Sequence, residues 1–253
     1  MNLELDMPFG KAEIKEAYLR GEEVRLFLVE GTQESATYLH PLIKYELVFP
    51  YTKVFASLFS REMEECDVLM LGGGAFSVPK YLISHFPQVQ MDVVELYREV
   101  YEMALDYFFL DELYEEYHLM ENRRLQVFLE EGLHYLKACT KTYDIIYDDA
   151  YHGILPDSGL LSYEATVLMK KRLKEGGLLA INMIGALQGS SSMRALLSEE
   201  VLKRVFRNVE LRQNMEIPPD LPSQNLILLG SDAPLPPTRM LLPNDLSEDW
   251  AEH

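Results

Sequence analysis

The residues best suited to chemistry gather around one glycine turn. Gly72, Gly73 and Gly74 follow the apolar run Leu69, Met70 and Leu71 and precede Ala75, Phe76, Ser77 and Val78, so the turn joins a strand to a helix. Glycine lets a backbone approach a ligand closely, and the first turn of the following helix offers free N–H groups. The last glycine of a G-x-G-x-x-G fingerprint is Ser77 here. About twenty residues on, Glu95 ends the apolar segment containing Val93 and Val94, where a carboxylate accepts hydrogen bonds from ribose hydroxyls; Asp92 and Glu99 compete for that role. Glu130, Glu131 and Gly132 close another apolar segment, and Asp148 and Asp149 a further one. Each acid has a plainer use as a charge at a helix N-terminus. Their recurrence at successive strand ends argues for a shared binding rim.

The elements that must position these residues are short apolar runs alternating with amphipathic stretches, the pattern of a mostly parallel sheet with crossover helices. The reading predicts strands over 67–71, 90–95, 124–129, 144–149 and 178–183, with helices over 78–86, 98–108, 132–139, 163–174 and 191–206. Two further strands, 209–213 and 225–230, flank a proline-rich connection over 217–222. Upstream, strands over 12–19, 24–30 and 35–39 form a small β-rich region, and apolar spacing predicts a helix over 45–59. The expected division is 1–44 for the small β region, 45–230 for the main domain and 231–253 for a tail laid on the surface or partly disordered.

Over 253 residues, 48% hydrophobic content is enough for a continuous core, and a formal charge of −18 repels nucleic acid and anionic membrane surfaces. Neutral or cationic small molecules suit that field. Cys66 and Cys139 lack ligand spacing and read as two buried thiols, with no metal expected. No apolar run reaches the length of a membrane span, and the acidic start lacks a secretory pattern, so a cytoplasmic protein is expected.

Taken in order, several blocks resemble those of spermidine synthases and spermidine synthase-like proteins, within the class I S-adenosylmethionine-dependent methyltransferase fold. They are Leu71 to Gly74, Val93 to Glu95, Glu131 to Leu136, Tyr143 to Ile146 and Leu173 to Leu179, with Gly31 to Leu39 and Tyr45 to Thr52 upstream. The resemblance implies an α/β, Rossmann-like seven-stranded sheet with its last strand antiparallel, binding S-adenosylmethionine or its decarboxylated form. By position it places Gly72, Gly73 and Gly74 under the methionine end of the cofactor and Glu95 on the ribose. Glu131 and Gly132 fall near the adenine, Asp149 beside the transferable group, and Gln33 approaches from the small region.

Two positions depart from the spermidine synthase pattern. The Asp that follows the three glycines in that family is Ala75 here, and the second Asp of the loop after the fourth strand is His152. The expectation is therefore a small-molecule transferase with methyl transfer ahead of aminopropyl transfer, acting on an acceptor such as an amine. Asp149 or His152 would be the base and Tyr151 an aromatic wall for a sulfonium. A nucleotide-dependent oxidoreductase and a non-catalytic nucleoside-binding protein are the alternatives from other classes. A homo-oligomer is expected.

Overall fold

The computed structural model describes residues 1–59, 65–152, 155–156, 159–186, 192–213 and 224–237, with residues 152, 155 and 156 described by backbone alone. Alternating side chains at the start of the chain build a four-stranded antiparallel sheet, β1 (Asn2–Met7), β2 (Gly10–Leu19), β3 (Glu22–Val29) and β4 (Thr32–Tyr38), paired in chain order. Helix α1 (Pro50–Ser57) leads into a seven-stranded sheet.

That sheet contains β5 (Cys66–Leu71), β6 (Val89–Glu95), β7 (Leu125–Leu129), β8 (Tyr143–Asp148), β11 (Leu173–Gly185), β12 (Asn208–Gln213) and β13 (Gln224–Ser231). Its order is β12-β13-β11-β8-β5-β6-β7. The five strands from β11 to β7 pair in parallel, and β13 runs antiparallel to both β11 and β12. The chain winds outward from β5 to β7 and returns to β8 on the other side of β5, so the topological switch point lies between β5 and β8. After β8, β9 (Tyr151–His152) and β10 (Leu155–Pro156) make a short ladder.

Helices cover both faces, as the nearly continuous apolar strands require. Val68 and Met70 of β5 pack with Phe55 of α1, Leu82 of α2 (Ser77–His85), Leu113 of α4 (Leu110–Glu116) and Leu119 of α5 (Leu119–Asn122). Leu69 and Leu71 turn the other way, toward Leu136 of α6 (Gly132–Ala138), Met169 of α7 (Tyr163–Arg172) and Leu202 of α8 (Met193–Lys203). The small sheet shares a third cluster with the main body. There Ile14 and Phe27 meet Ala75, Phe108 and the inner face of α3 (Arg98–Tyr107) at Val100 and Met103.

Several boundaries differ from the sequence expectations. The stretch expected to be helical over 45–59 is helical only over Pro50–Ser57. Pro50 sits in the first turn and holds Phe49 extended at φ −83° and ψ 137°, yet Tyr45, Leu47 and Val48 are buried, so the apolar spacing reported burial rather than a helix. The helix expected to run to Lys174 ends at Arg172, and β11 starts at Leu173 with a register shift before Leu178. Strand β1 and helices α4 and α5 were not expected. Cys139 is half-buried rather than enclosed, whereas burial pushes the Cys66 thiol up to about 12. The connection over 217–222 and the tail beyond 237 lie outside the described residues. Before that point Leu235 packs on the core, and Arg212 donates to the Pro236 carbonyl.

Candidate functional site

Because the five strands run parallel, their carboxyl ends reach one rim. Gly72 follows β5, Glu95 ends β6, Glu130 follows β7 and Asp149 follows β8, while Asn182 comes from β11. Here they and β4 enclose a cavity of about 430 Å³, also lined by Gln33, Glu34, Tyr51, Glu131, Gly132 and Tyr151.

The glycine turn is fixed from two directions. Gly72 adopts φ +87°, and a Cβ there would stand 2.4 Å from the Asp149 carbonyl oxygen, so only glycine lets the turn lie against the loop after β8. The backbone N–H of Asp149 in turn donates to the Leu71 carbonyl at 2.9 Å. Across the turn, Glu95 Oε2 accepts from the backbone N–H groups of Gly73 at 2.9 Å and Gly74 at 3.3 Å, and Oε1 accepts from Tyr97 N–H at 2.9 Å. Glu95 therefore organises the turn itself. Burial pushes its carboxyl above the ordinary range despite those donors.

Glu131 takes the plainer role open to it. It is the N-cap of α6, its oxygens accepting from Leu133 N–H at 2.7 Å and His134 N–H at 2.8 Å. It still lines the cavity, so contact with a ligand would have to use its remaining lone pairs.

Asp149 is held by side chains from two other elements. Asn182 Nδ2 donates to Oδ1 at 2.7 Å and the Tyr51 hydroxyl donates to Oδ2 at 3.1 Å, while Asn225 Nδ2 donates to Asn182 Oδ1 at 3.1 Å. Burial outweighs these donors and pushes the Asp149 carboxyl up to about 6. Glu34, reaching in from β4, is pushed up to about 7 by burial and by the charge of Asp149. Tyr151 lines the cavity and donates to the Asn182 carbonyl at 3.5 Å. The His152 side chain lies outside the described residues, so its expected role as a base has no geometry behind it here.

The structure thus brings together Gln33, Gly72, Gly73, Gly74, Glu95, Glu131, Gly132, Asp149 and Tyr151. Glu34, Tyr51 and Asn182 escaped sequence reasoning. Asn182 had a signal, being at the end of a parallel strand like the residues chosen; Glu34 and Tyr51 enter from distant segments with no local pattern. Five carboxylates line the cavity, from Glu34, Glu95, Glu130, Glu131 and Asp149, and among the described lining residues there is no Lys, Arg or His. Among the described residues no group of three His, Cys, Asp or Glu side chains could hold a metal, and no helix is long and apolar enough to cross a membrane.

Residues 49–211 match the family model described as "Spermine/spermidine synthase domain". A polyamine aminopropyltransferase of Alkaliphilus metalliredigens is 29% identical over 147 residues, which is 58% of this chain and 50% of that protein. The chain spans half or less of the length of several curated relatives it matches. Among solved structures, a probable spermidine synthase from Corynebacterium glutamicum has a TM-score of 0.75 at 19% identity, covering 92% of this chain and 81% of that one. Human methyltransferase-like protein 13, solved with SAH, has a TM-score of 0.55 at 21% identity, covering 79% of this chain and 88% of that one. At these identities the structural likeness speaks for the fold, which is methyltransferase-like.

Proposed function

The chain belongs to the spermine/spermidine synthase family, and from that membership we propose that it is an aminopropyltransferase using decarboxylated S-adenosylmethionine and a small amine acceptor. The observation that carries the choice is the charge of the cavity, five carboxylates and no basic side chain among the described lining residues. S-adenosylmethionine has a carboxylate of its own, which such a wall repels. The decarboxylated form has only cationic and neutral groups, and so does a polyamine. The ranking expected from the sequence, with methyl transfer first, is accordingly reversed.

The residues suit such a donor. The turn at Gly72 to Gly74 is a cradle that side chains would fill, since Cβ atoms would meet the Asp149 carbonyl, the Phe76 ring or Ser35 Oγ. Glu95 lies beneath it for the ribose, Glu131 and Gly132 are at the adenine side, and Gln33 closes the site from β4. When bound, decarboxylated S-adenosylmethionine supplies an aminopropyl group already activated by positive sulfur. The chain then has to align the acceptor, exclude water and receive a proton. As the acceptor nitrogen forms its N–C bond, the S–C bond breaks and its electron pair returns to sulfur. Asp149 is placed to take the proton that the nitrogen sheds, and a carboxyl pushed up to about 6 is ionised at neutral pH while remaining a better base than an ordinary aspartate. Tyr51 and Asn182 hold its two oxygens and so fix the direction in which it accepts. Tyr151 offers an aromatic face to the cationic centre.

The proposal includes a homo-oligomer, supported by the exposed Met193, Leu196 and Leu197 on α8 and checked by light scattering. For the reaction, the purified chain is incubated with decarboxylated S-adenosylmethionine and a panel of di- and triamines, and in parallel with S-adenosylmethionine. Amine-dependent release of methylthioadenosine is the expected result. Release of S-adenosylhomocysteine without methylthioadenosine would assign the site to methyl transfer.

A further inference from the structure

Three of the five cavity carboxylates are held by hydrogen bonds of the fold, and Glu130 and Glu34 are left. Glu95 serves the glycine turn, Glu131 caps α6 and Asp149 is held by Asn182 and Tyr51. Glu130 follows β7, its backbone N–H donating to the Glu95 carbonyl. Glu34 is different. Its side chain is half-buried against the cavity and has no hydrogen-bond partner among the described residues, while Asp149, Tyr51 and Tyr151 line the same cavity and interact with it electrostatically. No cationic side chain among the described lining residues offsets the pair.

A second observation points to a missing polar partner. Gln224, at the head of β13, is 6% exposed and lines the same cavity, and neither its Oε1 nor its Nε2 has a partner among the described residues. A buried amide left with both ends unpaired costs about 1–3 kcal/mol for each group, a cost a ligand with its own donors and acceptors removes. Among the described residues, then, neither the cavity's charge nor the Gln224 amide is balanced by a protein group.

We propose that Glu34 is the residue that reads the charge of the acceptor, its carboxylate and that of Asp149 receiving one ammonium group between them. This rests on the aminopropyl-transfer reading and adds to it the residue that selects a protonated amine over a neutral molecule of the same shape. The geometry assigns the two acids different duties. Asp149 is tied down by two donors and keeps a fixed direction, as a proton acceptor must. Glu34 is untied on a strand of the small sheet and adds a second carboxylate to the one Asp149 holds in place. Burial raises both carboxyls, and the charge of Asp149 raises that of Glu34 further, so arrival of an ammonium group releases protons to solvent near neutral pH.

Titration calorimetry on the whole chain tests this with two probes, 1,4-diaminobutane and its neutral counterpart 1,4-butanediol, each with and without saturating methylthioadenosine, in two buffers of different ionisation enthalpy. The wild type should bind the diamine at least tenfold more tightly than the diol and release protons on binding. Glu34→Gln, which keeps the shape, should lose tenfold or more of the diamine affinity and most of the proton release, leaving methylthioadenosine affinity unchanged; Glu34→Asp should recover part of it. A Glu34→Gln protein that binds the diamine as the wild type does would overturn the proposal, as would a wild type that does not distinguish the diamine from the diol. If methylthioadenosine fails to bind while the diamine binds in a Glu34-dependent way, the transferase reading falls and the role of Glu34 stands.

Discussion

Replacing Glu95 with Ala separates two ideas of what that residue is for. If its carboxylate served only a ribose, the unliganded protein would not notice the loss. The structure instead gives it three backbone N–H groups, from Gly73, Gly74 and Tyr97. Hydrogen bonds to a charged acceptor contribute about 1.5–3 kcal/mol each, a ceiling of about 5–9 kcal/mol. Two effects reduce it. Burial pushes the carboxyl upward, so ionising it inside the protein already costs free energy, and water can enter the space the side chain leaves. A net loss of about 2–4 kcal/mol remains, which for a chain of this size lowers the melting temperature by about 5–15 °C. Circular dichroism melts without any ligand read this directly, and calorimetry with methylthioadenosine reads the loss of binding that should accompany it. An unchanged melting temperature together with lost binding would refute the argument that Glu95 builds the turn; unchanged values in both would place the nucleoside elsewhere.

Asp149→Asn should lower turnover by at least about tenfold, equivalent to about 1.4 kcal/mol, with little change in nucleoside affinity, and should abolish the rise of kcat/KM through pH about 6 expected of the wild type. Gly72→Ala forces a Cβ to 2.4 Å from the Asp149 carbonyl at φ +87°, so the variant should melt well below the wild type or fail to accumulate as soluble protein, which differential scanning fluorimetry detects. Lys80 is fully buried and burial pushes its ammonium down to about 7, so the unfolded chain holds a proton there that the folded one has lost between pH 7 and 10.5. Stability should therefore gain up to about 5 kcal/mol from this residue as pH rises through that window, and denaturant titrations of Lys80→Met should lack that part of the slope.

How much of this could be read from the chain depends on whether a residue's neighbours in space are also its neighbours in sequence. Glu95 and Asp149 were legible because an apolar run ending in an acid is a strand delivering that acid to a rim, and parallel pairing then collects such ends. The mostly parallel strands followed from the same alternation, whereas their assembly into one seven-stranded sheet was what the family resemblance implied. Strand β1 was written as plainly, with Leu3, Leu5 and Met7 alternating with Asn2, Glu4 and Asp6, but its place at the start of the chain drew attention to targeting instead. The helix expected from Tyr45 failed because a 3.6-residue apolar rhythm reports only which side chains are buried, while Pro50 decides where helical backbone can begin. Glu34 and Tyr51 acquire meaning only through Asp149, which stands roughly a hundred residues away from them, and no local pattern encodes such a meeting. Glu131 shows the reverse case, a residue found by position whose visible hydrogen bonds belong to the helix it caps.

Three successive residues of β4 are stitched to the segment behind the glycine turn: Ser35 Oγ accepts from Ala75 N–H at 3.3 Å, the Ala36 carbonyl accepts from Ser77 Oγ at 3.1 Å, and Thr37 Oγ1 receives Lys80 Nζ at 3.4 Å. Lys80 also donates to the Phe108 carbonyl at the end of α3. The strand that carries Gln33 and Glu34 into the cavity is thereby sewn to the segment that follows the glycine turn. The small sheet cannot swing aside as a lid without opening this seam, so amides along β4 and along the start of α2 should exchange with solvent as one unit. A fragment beginning after residue 44 would lose one wall of the cavity, including Gln33 and Glu34, and with it the seam that holds the glycine turn from that side.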